Sequence, residues 1–175
     1  SWYAFGRLAW NADLSSEEIA REWLQQTFST KEKFVEPVLD MMMTSREAAV
    51  DYMMPLGIHH IFAGTHHYGP EPWYAPEGLR ADWLPKYYHR AGTDGIGFDR
   101  TRAGSGNVDQ YHEPLASMYN DLETCPEELL LWFHHIPWTH KMSSGRTFWD
   151  EMCHRYDRGI KKVREYQKVW EEARP

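Results

Sequence analysis

Cysteine is scarce in this sequence. Cys125 and Cys153 stand far apart and outside any C-x-x-C spacing, which leaves no disulfide framework: either one bridge forms or two thiols stay reduced. No run of about 18 apolar residues occurs, so no membrane span is expected. A basic surface is missing too. The net charge is −7 with neutral histidine, and a phosphate backbone needs a basic footprint, so no nucleic-acid partner is expected. The basic run Lys161, Lys162, Arg164 and Lys168 alternates with Glu165, Glu171 and Glu172 and reads as a solvated helix face. Neither G-x-S-x-G, nor a Walker loop, nor a Cys/His nucleophile signature is present, and no cofactor is expected. The opening Ser1-Trp2-Tyr3-Ala4-Phe5-Gly6 has no basic leader and no initiator methionine, so the expectation is a piece of a longer protein.

What is present suits a packed domain. At 175 residues and 42% hydrophobic content, the chain has length for one domain and apolar residues enough for its core. Aromatics reach 15%, with 9 Trp and 10 Tyr. Such side chains serve cores, interfaces and sugar-stacking platforms alike, so their number alone selects none of these.

Helical signals dominate both ends. Residues Trp2 to Trp10 are aromatic-rich and read as a buried strand or an extended lead-in segment. Ser15-Ser16-Glu17-Glu18 then forms a capping box, and Ile19, Trp23 and Leu24 supply an apolar stripe, which predicts a helix over about residues 16–27. Ser29-Thr30-Lys31-Glu32 reads as a second capping box. Phe34, Val38, Leu39 and Met42 follow at helical spacing, with Pro37 expected to kink the helix or shift its start. The pattern runs on to Met54 and stops at Pro55 and Gly57. Thr124-Cys125-Pro126-Glu127 is a start signal with Thr124 as cap, for a helix through Leu129 to Phe133. Phe148, Met152, Tyr156, Ile160, Val163 and Trp170 predict a long last helix over about residues 146–173, with Gly159 costing about 1 kcal/mol relative to Ala. The fold class is mainly α, an irregular multi-helix domain with a long ordered loop region.

That loop region, from Gly57 to about Gln110, loses all periodicity. Loops of such length in compact domains are usually functional, so ligand contacts are expected there. His59-His60 and His66-His67 offer four imidazoles, but the spacing is not that of H-E-x-x-H and no cysteine is near. Loop orientation and hydrogen bonding to a polar ligand are preferred over a metal site. His134-His135 reads as a packed helix end. Gly69-Pro70-Glu71-Pro72-Trp73-Tyr74 presents Trp73 on a stiff turn, where it either stacks on a sugar ring or plugs a domain interface. Gly92, Gly95 and Gly97 are turn glycines rather than a dinucleotide fingerprint. Arg90 and Arg100 either pair with Asp94 or Asp99 or hold a ligand carboxylate, and the ion pairs are the preferred reading. A glycosidase needs two flanking carboxyls. Among Glu71, Asp82, Asp94, Asp99, Asp109, Glu113 and Glu123 the sequence singles out no pair.

Several strings taken in order are more specific. They are Trp2-Tyr3-Ala4-Phe5-Gly6-Arg7-Leu8-Ala9-Trp10-Asn11, Pro55-Leu56-Gly57-Ile58-His59-His60, His66-His67-Tyr68-Gly69-Pro70 with Trp73, and Tyr87-Tyr88-His89-Arg90-Ala91. Gly95-Ile96-Gly97-Phe98-Asp99-Arg100, Asn120-Asp121-Leu122-Glu123-Thr124-Cys125-Pro126, Leu131-Trp132-Phe133-His134-His135 and Lys141-Met142-Ser143-Ser144-Gly145-Arg146-Thr147 follow. Together they resemble the C-terminal region of family 67 α-glucuronidases over nearly the whole chain. The resemblance implies an inverting, metal-independent glycosidase that removes 4-O-methyl-D-glucuronate from xylo-oligosaccharides. It also implies a catalytic (β/α)₈ barrel upstream, carrying the acid and base, so that no catalytic residue lies in this chain. A homodimer is implied as well. Trp73 then looks like the aromatic platform for the xylose side of the substrate, with Tyr68, His66 and His67 beside it. The Trp2 to Asn11 stretch with the first helix fits the last β/α unit of such a barrel. Because the region is acidic, any recognition of the uronate carboxylate here must come from local Arg or His. Two other functions stay in view: a stand-alone carbohydrate-binding module and a His-based metallohydrolase.

Overall fold

A computed structural model describes residues 1–59, 61–63 and 68–174, and for residues 63 and 68–70 it describes the backbone alone. Seven α-helices lie among the described residues: α1 (Trp2–Trp10), α2 (Ser16–Thr27), α3 (Glu32–Met53), α4 (Pro85–His89), α5 (Leu115–Asn120), α6 (Leu130–Phe133) and α7 (Phe148–Ala173). Four short strands pair as two antiparallel ladders, β1 (Phe62–Ala63) with β2 (Tyr68–Pro70) and β3 (Gly95–Ile96) with β4 (Ile136–Pro137). The mainly α class expected from periodicity is the class observed. The chain divides into two compact units, residues 1–50 with 158–175, and residues 51–157.

In the first unit, α2 starts where the capping box places it. The Ser15 hydroxyl accepts the Glu18 amide at 3.1 Å, and the Glu18 carboxylate accepts the Ser15 amide at 2.8 Å. Its apolar stripe buries Ala20 and Leu24 against Phe34, Val35, Val38 and Leu39 of α3. Phe28 closes this core, packing on Trp23, Phe34 and Trp170 with ring centroids 5.3 to 6.2 Å away. The second expected capping box does not form: Ser29 accepts from the amide of Lys31 instead. Pro37 lies inside α3, which begins at Glu32 and continues to Met53, next to Pro55.

Residues 2–10 correct the expectation of a strand and of a β half for a terminal β/α unit. They form helix α1. Only Tyr3, Ala4 and Arg7 are partly covered, an i, i+1, i+4 spacing that fits a helix face and not the alternation of a strand. Arg7 Nε donates to Glu22 Oε2 of α2 at 3.0 Å. The aromatic content suggested a strand, yet Ala4, Leu8 and Ala9 favour helix and this contact with α2 decides the outcome. Trp2 and Trp10, each 87% exposed, and Phe5 are left uncovered.

The second unit has its own core, built on Leu56, Val108, Leu131, Ile136 and Phe148. Much of its chain is irregular, as expected for residues 57–110. It is ordered by close backbone approach rather than by long elements. Gly97, at φ 112°, packs so tightly that a Cβ there would overlap the His134 carbonyl oxygen. Gly95 is in the same position relative to Ile136, so only glycine allows β3 to approach β4. Thr124 does not cap a helix: its hydroxyl donates to the Met118 carbonyl at 2.9 Å. The last helix starts at Phe148, where the Thr147 hydroxyl accepts the Asp150 amide at 3.1 Å. Cys125 is buried and Cys153 exposed, and both are free thiols. Burial pushes the Cys125 thiol up to about 11, so it packs as a small apolar group and not as a nucleophile. No described helix is long and apolar enough to cross a membrane.

Candidate functional site

Of the expected substrate contacts, Trp73 follows β2. The Glu71 amide donates to the Ile61 carbonyl at 2.6 Å and extends the β1–β2 pairing by one bond. The Tyr74 amide then donates back to the Glu71 carbonyl at 3.0 Å, closing a four-residue turn. Pro72 occupies its second position, where a φ near −65° is pre-set. Trp73 occupies the third and is 86% exposed. Local chemistry thus presents a large apolar ring to solvent on a proline-containing, hydrogen-bonded turn, the arrangement a sugar platform needs. His66 and His67 lie outside the described residues, as does His60, and Tyr68 is described for its backbone only. His59 packs edge-on to Tyr88 and Trp132, with centroids 5.1 and 4.7 Å away. Among the described residues no three His, Cys, Asp or Glu side chains converge on a metal site.

A second feature was only half legible in the sequence. Arg90, Asp94, Gly97, Asp99 and His135 line a cleft of about 350 Å³. The expected ion pairs of Arg90 and Arg100 with Asp94 and Asp99 do not form. Asp94 instead meets His135 Nε2 through Oδ2 at 3.1 Å, while His135 Nδ1 lies 2.8 Å from the Gly97 carbonyl. Asp99 accepts the amide and hydroxyl of Thr101 through Oδ1, at 2.9 and 2.6 Å. These local partners leave the arginines to the aromatic rings. The Arg90 guanidinium lies over Phe98 at 4.7 Å and Tyr87 at 5.7 Å. Arg100, only 8% exposed, lies over Trp132 at 4.3 Å and Phe98 at 5.0 Å, and donates to the Trp132 carbonyl. Burial lowers its pKa. The cation–π faces offset part of the desolvation of this charge. The other member of the His pair behaves as expected for a packed helix end. His134 ends α6, is buried, and its Nε2 donates to the Tyr119 carbonyl at 2.9 Å. Burial lowers its pKa and keeps it neutral.

Three of the other candidate carboxylates, Asp82, Asp109 and Glu113, are tied into ion pairs. Asp82 is paired with Arg80. Asp109 and Glu113 share Arg102, at 2.7 and 3.0 Å. Hydrogen bonds from Ser117 and Arg102 lower the Glu113 pKa. Glu18, Glu22, Glu36, Asp82, Glu113 and Glu151 all have lowered pKa values. A general acid for glycoside cleavage requires the opposite displacement.

Comparison with known proteins adds a family. All of residues 1–175 match the model described as the glycosyl hydrolase family 67 C-terminus. The chain is 36% identical over 171 residues to alpha-glucuronidase A of Aspergillus tubingensis, covering 97% of this chain and 20% of that protein. It is 37% identical over 171 residues to the probable alpha-glucuronidase A of Aspergillus niger, with the same coverage. With alpha-glucuronidase A of Emericella nidulans the identity is 37% over 172 residues, covering 96% of this chain and 20% of the relative. The chain therefore spans about a fifth of the length of the curated relatives it matches.

Proposed function

The chain belongs to glycosyl hydrolase family 67, as its C-terminal region, and from that premise we propose that it flanks the substrate and forms dimers in an inverting α-glucuronidase. The complete enzyme removes 4-O-methyl-D-glucuronate from xylo-oligosaccharides. Its acid and base sit on a barrel upstream of this chain. The exposed ring of Trp73 on its proline-stiffened turn carries the reading. It stacks on a xylose residue of the aglycone, with Tyr68, His66 and His67 as neighbouring contacts. Two further observations support it. The carboxyls of Glu113 and Glu151 are lowered, which suits pairing and not proton donation to a leaving group. The uncovered aromatic rings of α1, Trp2, Phe5 and Trp10, suit a surface that another part of the assembly covers.

The test is Trp73→Ala in the full-length enzyme, assayed on aldotriouronic acid. The expected outcome is a fall in kcat/KM on the order of tenfold, equal to about 1.4 kcal/mol of lost transition-state binding, at unchanged melting temperature. A surface substitution such as Lys168→Ala serves as control. An unaltered kcat/KM for the Trp73 variant defeats the reading.

A further inference from the structure

The cleft among Arg90, Asp94, Asp99 and His135 plays no part in the function proposed above, yet its groups are arranged for a ligand. Arg90 sits at the C-terminal cap of α4 with φ 44°. Glycine or asparagine meets that conformation at least cost, so the backbone gives no reason for an arginine. Stacking on Phe98 and Tyr87 sets the plane of its guanidinium, and among the described residues that guanidinium makes neither a hydrogen bond nor an ion pair. Asp99 spends Oδ1 on Thr101 and Asp94 spends Oδ2 on His135, so each carboxylate keeps one oxygen without a donor among the described residues. The frame is rigid. The Gly97 amide donates to the His89 carbonyl at 2.5 Å, the Trp138 Nε1–H donates to the Gly92 carbonyl at 2.7 Å, and β3 is paired to β4. Side chains held this way are already in their binding geometry.

Charge selects the class of ligand. Two carboxylates face one guanidinium, so an anion meets net repulsion, while a cation would use the carboxylates and leave the Arg90 guanidinium without an acceptor. A neutral polyol suits every group, since each hydroxyl donates to a carboxylate and accepts from a guanidinium. The cleft, at about 350 Å³, falls within the range of about 300–1,000 Å³ usual for small-ligand sites. We infer that this cleft binds the vicinal diol of a neutral sugar ring, as a saccharide site separate from the Trp73 turn. That the sugar is a xylose residue of an undecorated xylo-oligosaccharide rests on the function proposed above.

The experiment is saturation-transfer NMR of xylotetraose on the full-length protein carrying Trp73→Ala, which removes the proposed platform. Transfer is expected to persist in that background and to fall at least fivefold on addition of Arg90→Ala or of Asp99→Asn. Asparagine keeps the oxygen that Thr101 uses, so Asp99→Asn carries the test if Arg90→Ala lowers the melting temperature. Absence of transfer in the Trp73→Ala protein overturns the inference. So does transfer that both added substitutions leave intact. Transfer to 4-O-methylglucuronate and not to xylotetraose overturns the neutral-ligand assignment. Glucuronate release by the enzyme with Trp73 intact is measured alongside, so failure of the wider reading registers separately.

Discussion

Glu151 and Arg155, one turn apart on α7, form a buried ion pair: Arg155 Nε donates to Glu151 Oε1 at 2.8 Å. Glu151, 4% exposed, also accepts Ser144 Oγ at 2.8 Å and Arg146 Nη1 at 3.0 Å. Arg155 reaches on to Glu128 at 2.9 Å, and Glu127 accepts the Ser143 amide at 2.8 Å. The network ties the 141–147 loop and the 127–129 turn to the start of α7. Burial opposes ionisation of Glu151, but the bonds from Arg155, Ser144 and Arg146 outweigh it and bring its pKa to about 2.

Acid is therefore expected to loosen the second unit. The folded pKa of Glu151 lies below its ordinary value of 4.5. Its contribution is complete above that value and is lost as pH falls from about 4.5 towards 2. The linked free energy is at most on the order of 3 kcal/mol. Urea unfolding between pH 7 and pH 2 checks it, and a flat profile refutes it.

Glu151→Gln is expected to destabilise the unit by about 2–4 kcal/mol at pH 7, because it leaves the mostly buried Arg155 with less compensation. The same variant should show a shallower decline in stability below pH 4.5. A full acid response in Glu151→Gln would assign the titration to another carboxyl.

Gly97→Ala is expected to cost several kcal/mol. It adds a Cβ at φ 112° against the His134 carbonyl oxygen, a strained conformation and an overlap together. Gly78→Ala adds a Cβ with nothing within 4 Å, also at positive φ, and should cost about 1 kcal/mol. The difference between their melting temperatures reports the overlap together with the greater strain at φ 112°.

Ser15→Ala should destabilise the first unit by about 1 kcal/mol, through loss of the reciprocal cap on α2. Circular dichroism melts give the value, and an unchanged melt would show that packing of Leu24 and Phe34 alone sets the start of α2.

The isolated chain, incubated with aldotriouronic acid, is expected to release no 4-O-methylglucuronate under conditions where the full-length enzyme does. Release would place the acid and base within these residues. Asp94 and Asp99 would then be the first carboxyls to substitute, since they share a cleft.

The helices that could be read from sequence are those whose cause is local. The Ser15–Glu18 box and the stripe through Leu24 place α2 at Ser16–Thr27. The apolar spacing from Phe148 onwards places α7. Trp73 was legible too, because Pro72 and the Glu71–Tyr74 bond lie within the same turn. Residues 2–10 misled because aromatic content favours strand, whereas in the fold they form helix α1, tied to α2 through Arg7 and Glu22.

The arginines mark where sequence stopped. Proximity in the chain suggested pairing of Arg90 and Arg100 with Asp94 and Asp99. The fold instead gives Asp94 to His135, 41 residues away, and Arg100 to the carbonyl of Trp132, 32 residues away. By itself the sequence determined the helical class, the Ser15 cap and the Trp73 turn, since hydrogen bonds and side-chain periodicity act within about four residues. Only the tertiary structure decided which charges meet aromatic rings and which meet one another, because those partners come together only when β3 pairs with β4.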